Sequence, residues 1–250
     1  MELDTGWTLL LFIAVGFGAQ IVDGALGMAY GLVSTSVLLA LGVPPAQASA
    51  SVHAAEMVTT GISGTAHAWF GNVDRRLFLR LVLPGVLGGI AGALIASRMP
   101  SDWLTPLVLV YLLAMGVFVL WRAWRRVISQ RDPRAVPAIG VVAGFLDAIG
   151  GGGWGPMATS TLLAQGNPPR YTVGSVNAAE FFVTTAITIA FVSEMGFDFG
   201  MVTLGLLLGG GAAAPLAAWV VRHIPQRGLL LLVGTLIMTI AMVQLVMFAA

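Results

Sequence analysis

Apolar residues run through almost the whole chain in long segments separated by short polar stretches. These segments cover residues 7–22, 25–41, 46–70, 77–96, 103–121, 136–148, 154–164, 171–192, 201–221 and 228–248. A helix needs about 20 residues to cross a bilayer, and several segments reach that length. Segments 136–148 and 154–164 are shorter and would extend only about 17–20 Å as helices. They predict two half-helices that meet inside the membrane.

Composition supports a helical membrane protein. Of the 250 residues, 58% are hydrophobic and only 9% are charged, whereas a soluble domain carries roughly 25% charged residues. A net charge of +1 without a basic stripe excludes a nucleic-acid binder, and the absence of cysteine excludes disulfides and thiolate metal sites. We therefore expect an all-α polytopic protein in a lipid bilayer, without a cofactor or a metal. The first segment lacks a basic start and a cleavage site, so we expect a retained helix.

The chain repeats itself at an offset of 124 residues. Without gaps, Asp23 falls on Asp147, and residues 51–56 fall on residues 175–180. Between Asp23 and Thr60, 17 of 38 positions are identical to their equivalents in the second half. We infer a gene duplication, with a first membrane repeat at residues 7–121, an Arg-rich linker at 122–135 and a second repeat at 136–248.

Charge distribution predicts how the two repeats lie in the membrane. All 12 basic residues are arginines, and arginine marks cytoplasmic loops. Five arginines crowd residues 122–134, which places this linker inside and, counting along the segments, leaves only Arg98 outside. The acidic residues expected outside are Glu2, Asp4, Asp102, Glu194 and Asp198. Both termini then lie outside, and the repeats are inverted. Each repeat has either five crossings or three crossings and a re-entrant pair.

Each repeat is interrupted by glycines near its start. The first break contains Gly24 and Gly27, and the second contains Gly150, Gly151, Gly152 and Gly153. Interrupted helices in inverted repeats are typical of transporter binding sites, and bare N–H groups at a helix start favour an anion. Close helix packing is the alternative role of these glycines. Hydroxyl groups follow both breaks, at Thr35, Ser36, Thr159 and Ser160. They could bind an oxyanion or bond back to their own helices.

A polar helix face appears in the third segment of each repeat. His53, Glu56 and Thr60 lie on one face, and Asn177, Glu180 and Thr184 repeat the pattern. Glutamate inside a membrane is costly, which makes Glu56 and Glu180 functional candidates, although they could instead tie helices together. His53 alone is a weak candidate because its equivalent is Asn177. For Asp23 and Asp147 we favour capping of the helices that follow.

These motifs together resemble the sulfite exporter TauE/SafE family. The resemblance rests on residues 18–27, Pro44-Pro45 and residues 51–56 in the first half. In the second half it rests on residues 144–156, Pro168-Pro169 and residues 175–180. It implies an inner-membrane permease of bacteria or archaea that moves sulfite, sulfonates or related organic anions, often as an exporter. Members of this family usually have about seven to nine spans.

The main functional hypothesis is a secondary transporter, an exporter, of a small sulfur-containing anion. Because burial favours the neutral form of a carboxyl group, we expect Glu56 and Glu180 to be protonated when an anion binds, which provides a route to proton coupling. An anion channel of the same architecture is the alternative. No compact catalytic motif supports an enzyme. The sequence leaves a homo-oligomer open, since the glycines at 85, 88, 89 and 92 could pack helices within or between protomers.

Overall fold

The computed structural model describes residues 5–26, 28–124, 134–196, 200–220 and 226–249, and all secondary structure in these ranges is helical. The first half contains α1 (Thr5–Leu26), α2 (Tyr30–Ala40), α3 (Pro45–Trp69), α4 (Arg75–Arg98) and α5 (Ser101–Arg122). The second half contains α6 (Val136–Gly150), α7 (Ser160–Ala164), α8 (Pro169–Met195), α9 (Met201–Val220) and α10 (Gln226–Ala249). A π-helical turn, Gly155–Thr159, leads into α7. Gly27, Asp198, Arg222, Glu2, Asp4 and linker residues 125–133 lie outside the described residues.

The helix boundaries follow local sequence signals. Pro45 and Pro169 occupy the first positions of α3 and α8, where a missing N–H costs nothing. Asp74 caps α4, because its side chain accepts hydrogen bonds from the backbone N–H groups of Arg76 and Leu77. Gly151 ends α6 with a φ of 65°, a conformation that glycine adopts readily. The polar stretches between apolar segments therefore mark the helix ends.

Five of the described helices contain stretches long and apolar enough to cross a membrane. These are Gly6–Asp23, Arg75–Arg98, Ser101–Arg122, Pro169–Met195 and Leu230–Ala249. Shorter apolar stretches are Tyr30–Ala40, Val136–Gly150 and Met201–Ala213. The expected all-α class is confirmed within the described residues. α3 has 25 residues and is rich in buried polar side chains, which sets it apart from the apolar spans.

Helices α6 and α7 form a hairpin. The backbone N–H of Arg134, just before α6, donates a 2.7 Å hydrogen bond to the side-chain oxygen of Gln165, just after α7. The start of α6 and the end of α7 therefore lie together, and the chain turns back between them at Gly151–Gly153. Tyr111, near the middle of α5, contacts Gly150 and Gly153, which places the hairpin tip at mid-height of the bundle.

Equivalent long helices of the two halves pack in opposite directions. At one end of the α3–α8 pair, Arg170 at the start of α8 bonds to Asn72 and to the Phe70 carbonyl, just after α3. In the α5–α10 pair, Gly116 contacts Met238 and Leu120 contacts Gly234. Each pair is therefore antiparallel, although its members lie at corresponding positions of the sequence repeat.

Glycines allow α4 to pack closely on its neighbours within one protomer. A Cβ at Gly88 would collide with the Val141 carbonyl of α6, and one at Gly92 would collide with the Phe145 carbonyl. Gly85 faces the ring of Trp154, and Gly89 faces Ile187 of α8. The sequence left open whether these four glycines pack helices within or between protomers. In the structure, all four pack against residues of the same chain.

Candidate functional site

The two glycine breaks meet inside the bundle. The backbone of Gly31, in the first turn of α2, lies directly against Gly151 and Gly152 at the tip of the α6–α7 hairpin. The Thr35 hydroxyl donates a hydrogen bond to the Gly151 carbonyl and joins the two halves at this point. The glycines thus permit close backbone packing, the alternative role that we considered for them, and they bring both helix starts to one place.

Aspartates hold the two helix starts in the same way. Asp23 Oδ1 accepts a 3.3 Å hydrogen bond from the backbone N–H of Tyr30. At the equivalent position of the second half, Asp147 Oδ1 accepts a 2.9 Å bond from the backbone N–H of Trp154. Each bond spans seven residues, across the break, and satisfies an N–H group at a helix start. Both aspartates thus bond to an N–H group at the start of the following helix, as expected, but neither occupies the N-cap position, which is Ala29 for α2 and Trp154 for the π turn.

Asp147 also pairs with His53. The Nε2 atom of His53 lies 3.1 Å from Asp147 Oδ2, and both side chains are buried. On the other side of the ring, Nδ1 lies 2.7 Å from the Ser49 carbonyl oxygen. Because a carbonyl can only accept, Nδ1 must carry a proton there. A further proton must then lie between Nε2 and Oδ2, on one atom or the other.

Supporting polar contacts surround this pair. The Ser49 hydroxyl donates a 2.6 Å hydrogen bond to the Ala148 carbonyl of α6. The Tyr111 hydroxyl donates a 2.6 Å bond to the Gly152 carbonyl, and the indole N–H of Trp154 donates to the Val176 carbonyl of α8. Sequence reasoning missed Ser49, Tyr111 and Trp154. Tyr111 is a polar group within an apolar helix, Ser49 is one of several polar residues of α3, and Trp154 directly follows the glycine run.

Glu56 lies against the start of α2. Its Oε1 atom lies 3.2 Å from where a Cβ on Gly31 would be, so the carboxyl group lies beside the backbone of the first turn of α2. The side chain is only 5% exposed, and its other oxygen, Oε2, has no hydrogen-bond partner. The equivalent Glu180 is partly exposed.

The hydroxyl groups after the breaks differ in their partners. Thr35 bonds across the repeat interface, while Ser160 Oγ lies 3.7 Å from the Met28 sulfur. Among the described residues, the buried oxygens without a partner also include those of Ser34, Ser36 and Thr159. The alternative role considered for the hydroxyl groups was a hydrogen bond to a carbonyl of their own helix. Such bonds occur at Thr60 and Thr184, which donate to the carbonyl oxygens of Glu56 and Glu180.

The remaining predicted positions fall at the edge of this cluster or outside it. Asn177 is buried, but it bonds within α8 to the Val173 carbonyl and accepts a bond from Ser63 of α3. It therefore does not stand in for His53. Gly24 lies in the last turn of α1, and the structure does not describe Gly27. Groups of three or more metal-ligating side chains are absent from the described part of the chain.

A cavity of about 350 Å³ opens on one face of the bundle. It lies where α3 and α9 begin and where α4 and α8 end, and its polar lining includes Gln47, Ser51, Ser97, Thr188 and Thr203. Beside its mouth, Arg98 forms two hydrogen bonds with Glu194, of 2.9 and 2.7 Å. On the opposite face, Arg170 bonds to Asn72 and Phe70.

Comparisons with known proteins agree with this architecture. The family model described as sulfite exporter TauE/SafE matches residues 12–244. The "Probable membrane transporter protein YtnM" of Bacillus subtilis (strain 168) is 42% identical over 242 residues, which cover 93% of this chain and 81% of the relative. No solved structure matches the chain. The chain is thus a multi-pass membrane protein and a transporter rather than an enzyme, and it belongs to the sulfite exporter TauE/SafE family.

Proposed function

We propose that this protein is a secondary transporter that exports a small sulfur-containing anion, such as sulfite or a sulfonate. The observation that carries the proposal is the meeting of two broken-helix starts at mid-height of the bundle, among buried oxygens without partners. Broken helices that meet between two repeats are the usual site of substrate binding in secondary transporters. The sulfur-containing substrate class comes from the description of the family.

The proposed binding site lies between the halves, close to the bilayer midplane. Its backbone part is Gly24–Gly27 of the first break and Gly150–Gly153 of the second. The side chains assigned to substrate binding are Thr35, Ser36, His53, Thr159, Ser160 and Asn177. Of these, Thr35 and His53 contact the second half directly, which supports their assignment most strongly. The hydroxyls of Ser36 and Thr159 are buried without partners, so they are available to an oxyanion.

We propose an inverted arrangement of the repeats, with both termini outside and the 122–135 linker inside. The antiparallel packing of α3 on α8 and of α5 on α10 supports inversion, because these are equivalent helices. Arginines at the start of α4, the start of α8 and the start of α10 share one face with the linker, as the Arg227–Trp124 contact illustrates. Arginine-rich faces are cytoplasmic. The cavity beside Arg98 would then open outward.

Alternating access would follow from movement of the helices that border the site. In the proposed orientation, the face with the cavity beside Arg98 and Glu194 is the outer one. The inner face is held by the hydrogen bonds of Arg170 to Asn72 and Phe70. Export requires the inner contacts to open so that substrate enters from the cytoplasm and leaves through the outer cavity.

We assign proton coupling to Glu56 and Glu180. An ionised carboxylate beside a bound anion is repulsive, whereas a protonated one can donate a hydrogen bond to it. Flux against pH in proteoliposomes tests this role with Glu56→Gln, Glu180→Gln and the two Leu variants. We expect both Gln variants to bind substrate but at least one to lose pH-dependent transport. Normal pH dependence in both Gln variants, with misfolding of the Leu variants, would show that the glutamates only hold helices together and do not couple protons.

A thermal-shift screen of the purified protein against small oxyanions and sulfonates tests the substrate class. A ligand that binds only the folded state raises the unfolding temperature by mass action. We expect sulfite or a sulfonate to raise it in a saturable way. Stabilisation by unrelated anions alone, with none by sulfur-containing ones, would contradict the proposed class.

A further inference from the structure

The start of α2 is a helix N-terminus buried inside the bundle, and the protein's own carboxyl groups occupy it. The backbone N–H of Tyr30 bonds to Asp23, and the Glu56 Oε1 atom lies beside the backbone of Gly31, whose N–H group is the next one at this helix start. The first N–H groups of a helix have no partner within the helix and carry partial positive charge. They are therefore a ready-made anion site, which here holds carboxylates in place of a foreign anion.

Glu56 is the less securely held of the two ligands. Its Oε1 lies beside Gly31, where the missing side chain permits the approach. Its Oε2 is buried without any hydrogen-bond partner. A buried carboxylate oxygen without a partner forfeits the hydrogen bonds that it made to water, at substantial free-energy cost. Protonation of Glu56 would remove its charge and weaken its hold on Gly31.

We infer that Glu56 occupies the anion-binding position of the transporter and competes with the substrate for the Gly31 N–H. The inference rests on the proposed function and adds a mechanism to it. When Glu56 takes up one proton, its carboxyl group leaves the start of α2, and a small oxyanion replaces it there. When the proton is lost, the carboxylate returns and expels the anion. Binding of one anion is thus linked to uptake of one proton.

The surrounding charges favour this linkage. Other ionisable groups approach Glu56 from four neighbouring helices and from its own helix; they are Asp23 of α1, Tyr30 of α2, His53 of α3, Asp147 of α6 and Glu180 of α8. Three of them are carboxyl groups, and each repels an entering anion whenever it is ionised. A proton on Glu56 removes one negative charge as the anion arrives, which keeps the site's net charge unchanged.

Glu180, the equivalent residue in the other half of the molecule, differs from Glu56 in its contacts. It occupies the equivalent helix position and is near the same carboxyl groups, Asp23 and Asp147. However, it is partly exposed, and among the described residues no backbone N–H of a helix start bonds to it. Competition for the Gly31 N–H is therefore assigned to Glu56 alone, and the control is Asp102, an exposed carboxyl group in the first turn of α5.

Equilibrium binding of methanesulfonate, which stays ionised across the pH range, tests the inference on the purified full-length protein. Above the titration of Glu56, the wild-type dissociation constant should rise about tenfold per pH unit, since one proton is linked to each anion. Glu56→Gln should bind at high pH as tightly as the wild type does at low pH, with no pH dependence. Asp102→Asn, which removes an exposed carboxyl group outside the site, should keep the wild-type slope. Equal slopes in Glu56→Gln and the wild type would overturn the inference.

A second measurement needs no substrate. Tyr30-Gly31 is the sole Tyr-Gly pair in the sequence, so ¹³C-carbonyl tyrosine with ¹⁵N-glycine labels the Gly31 amide selectively for NMR. We expect its resonance to shift with pH in the wild type and to stay fixed in Glu56→Gln. A Gly31 chemical shift that changes neither with pH nor with the Glu56→Gln substitution would overturn the inference. If the resonance behaves as expected while sulfur-containing anions neither bind nor cross, the inference stands and the proposed substrate class fails.

Discussion

Asp147 shows how a single side chain can serve both local structure and the site. One of its carboxyl oxygens bonds to the N–H group at the helix start after the glycine break, and the other meets His53. The bond to the helix start was predictable, because aspartate before a helix start is a local signal. The pairing with His53 was not, since it depends on where α6 lies relative to α3. His53 was a weak candidate in the sequence because its equivalent is Asn177. In the structure, Asn177 bonds to Val173 and Ser63 and has no aspartate partner.

Substitution of Asp147 by alanine should destabilise the protein strongly. It removes the partner of His53 and the acceptor for the Trp154 N–H, and each buried polar group left without a partner costs about 1–3 kcal/mol. Asp147→Asn should lose only about 1 kcal/mol, because the amide oxygen can still accept from Trp154 while its NH₂ group donates to neutral His53. Tryptophan fluorescence during unfolding in detergent measures both. Equal losses in the two variants would contradict the double role.

At the level of helices, the position and length of the apolar segments predicted the elements closely. The short segments 136–148 and 154–164 correspond to α6 and to the π turn with α7. The sequence left open whether each short pair crosses the membrane or turns back. The contact between Arg134 and Gln165 favours a hairpin in the second half, and it joins residues that no local pattern links. The sequence analysis did not predict the π-helical turn at Gly155–Thr159.

Gly152 tests the contact between the two breaks. A Cβ at this position would collide with the backbone of Gly31 and Leu32, and neither can move without shifting α2. We expect Gly152→Ala to lower the unfolding temperature and abolish substrate flux. Gly18→Ala is the control, since a Cβ there meets nothing within 4 Å. Normal flux and stability in Gly152→Ala would show that the breaks do not need to touch.

Across the whole molecule, charge and packing divide the bundle into two faces. The Arg98–Glu194 pair and the cavity lie at one face, while Arg170, Asn72 and the hairpin ends lie at the other. The distribution of arginines in the sequence predicted that Arg98 and Arg170 lie at opposite faces. Sequence reasoning did not reveal the cavity, because its lining comes from the ends of helices distant in the chain.

The absence of cysteine from the native chain makes the membrane orientation testable by labelling. Ser101 lies beside the cavity, and Arg76 lies in the first turn of α4 at the opposite face. An impermeant maleimide should label Ser101→Cys in intact cells, and Arg76→Cys only after permeabilisation. The reverse pattern would place the termini in the cytoplasm and contradict the proposed orientation.

Counterflow of radiolabelled sulfite into proteoliposomes tests the central claim, anion transport by alternating access, most directly. We expect unlabelled sulfite inside the vesicles to accelerate uptake of the label severalfold, with saturation and a dependence on pH. A channel would give rapid flux without this acceleration. No flux of sulfite, a sulfonate or thiosulfate under any gradient would contradict the account.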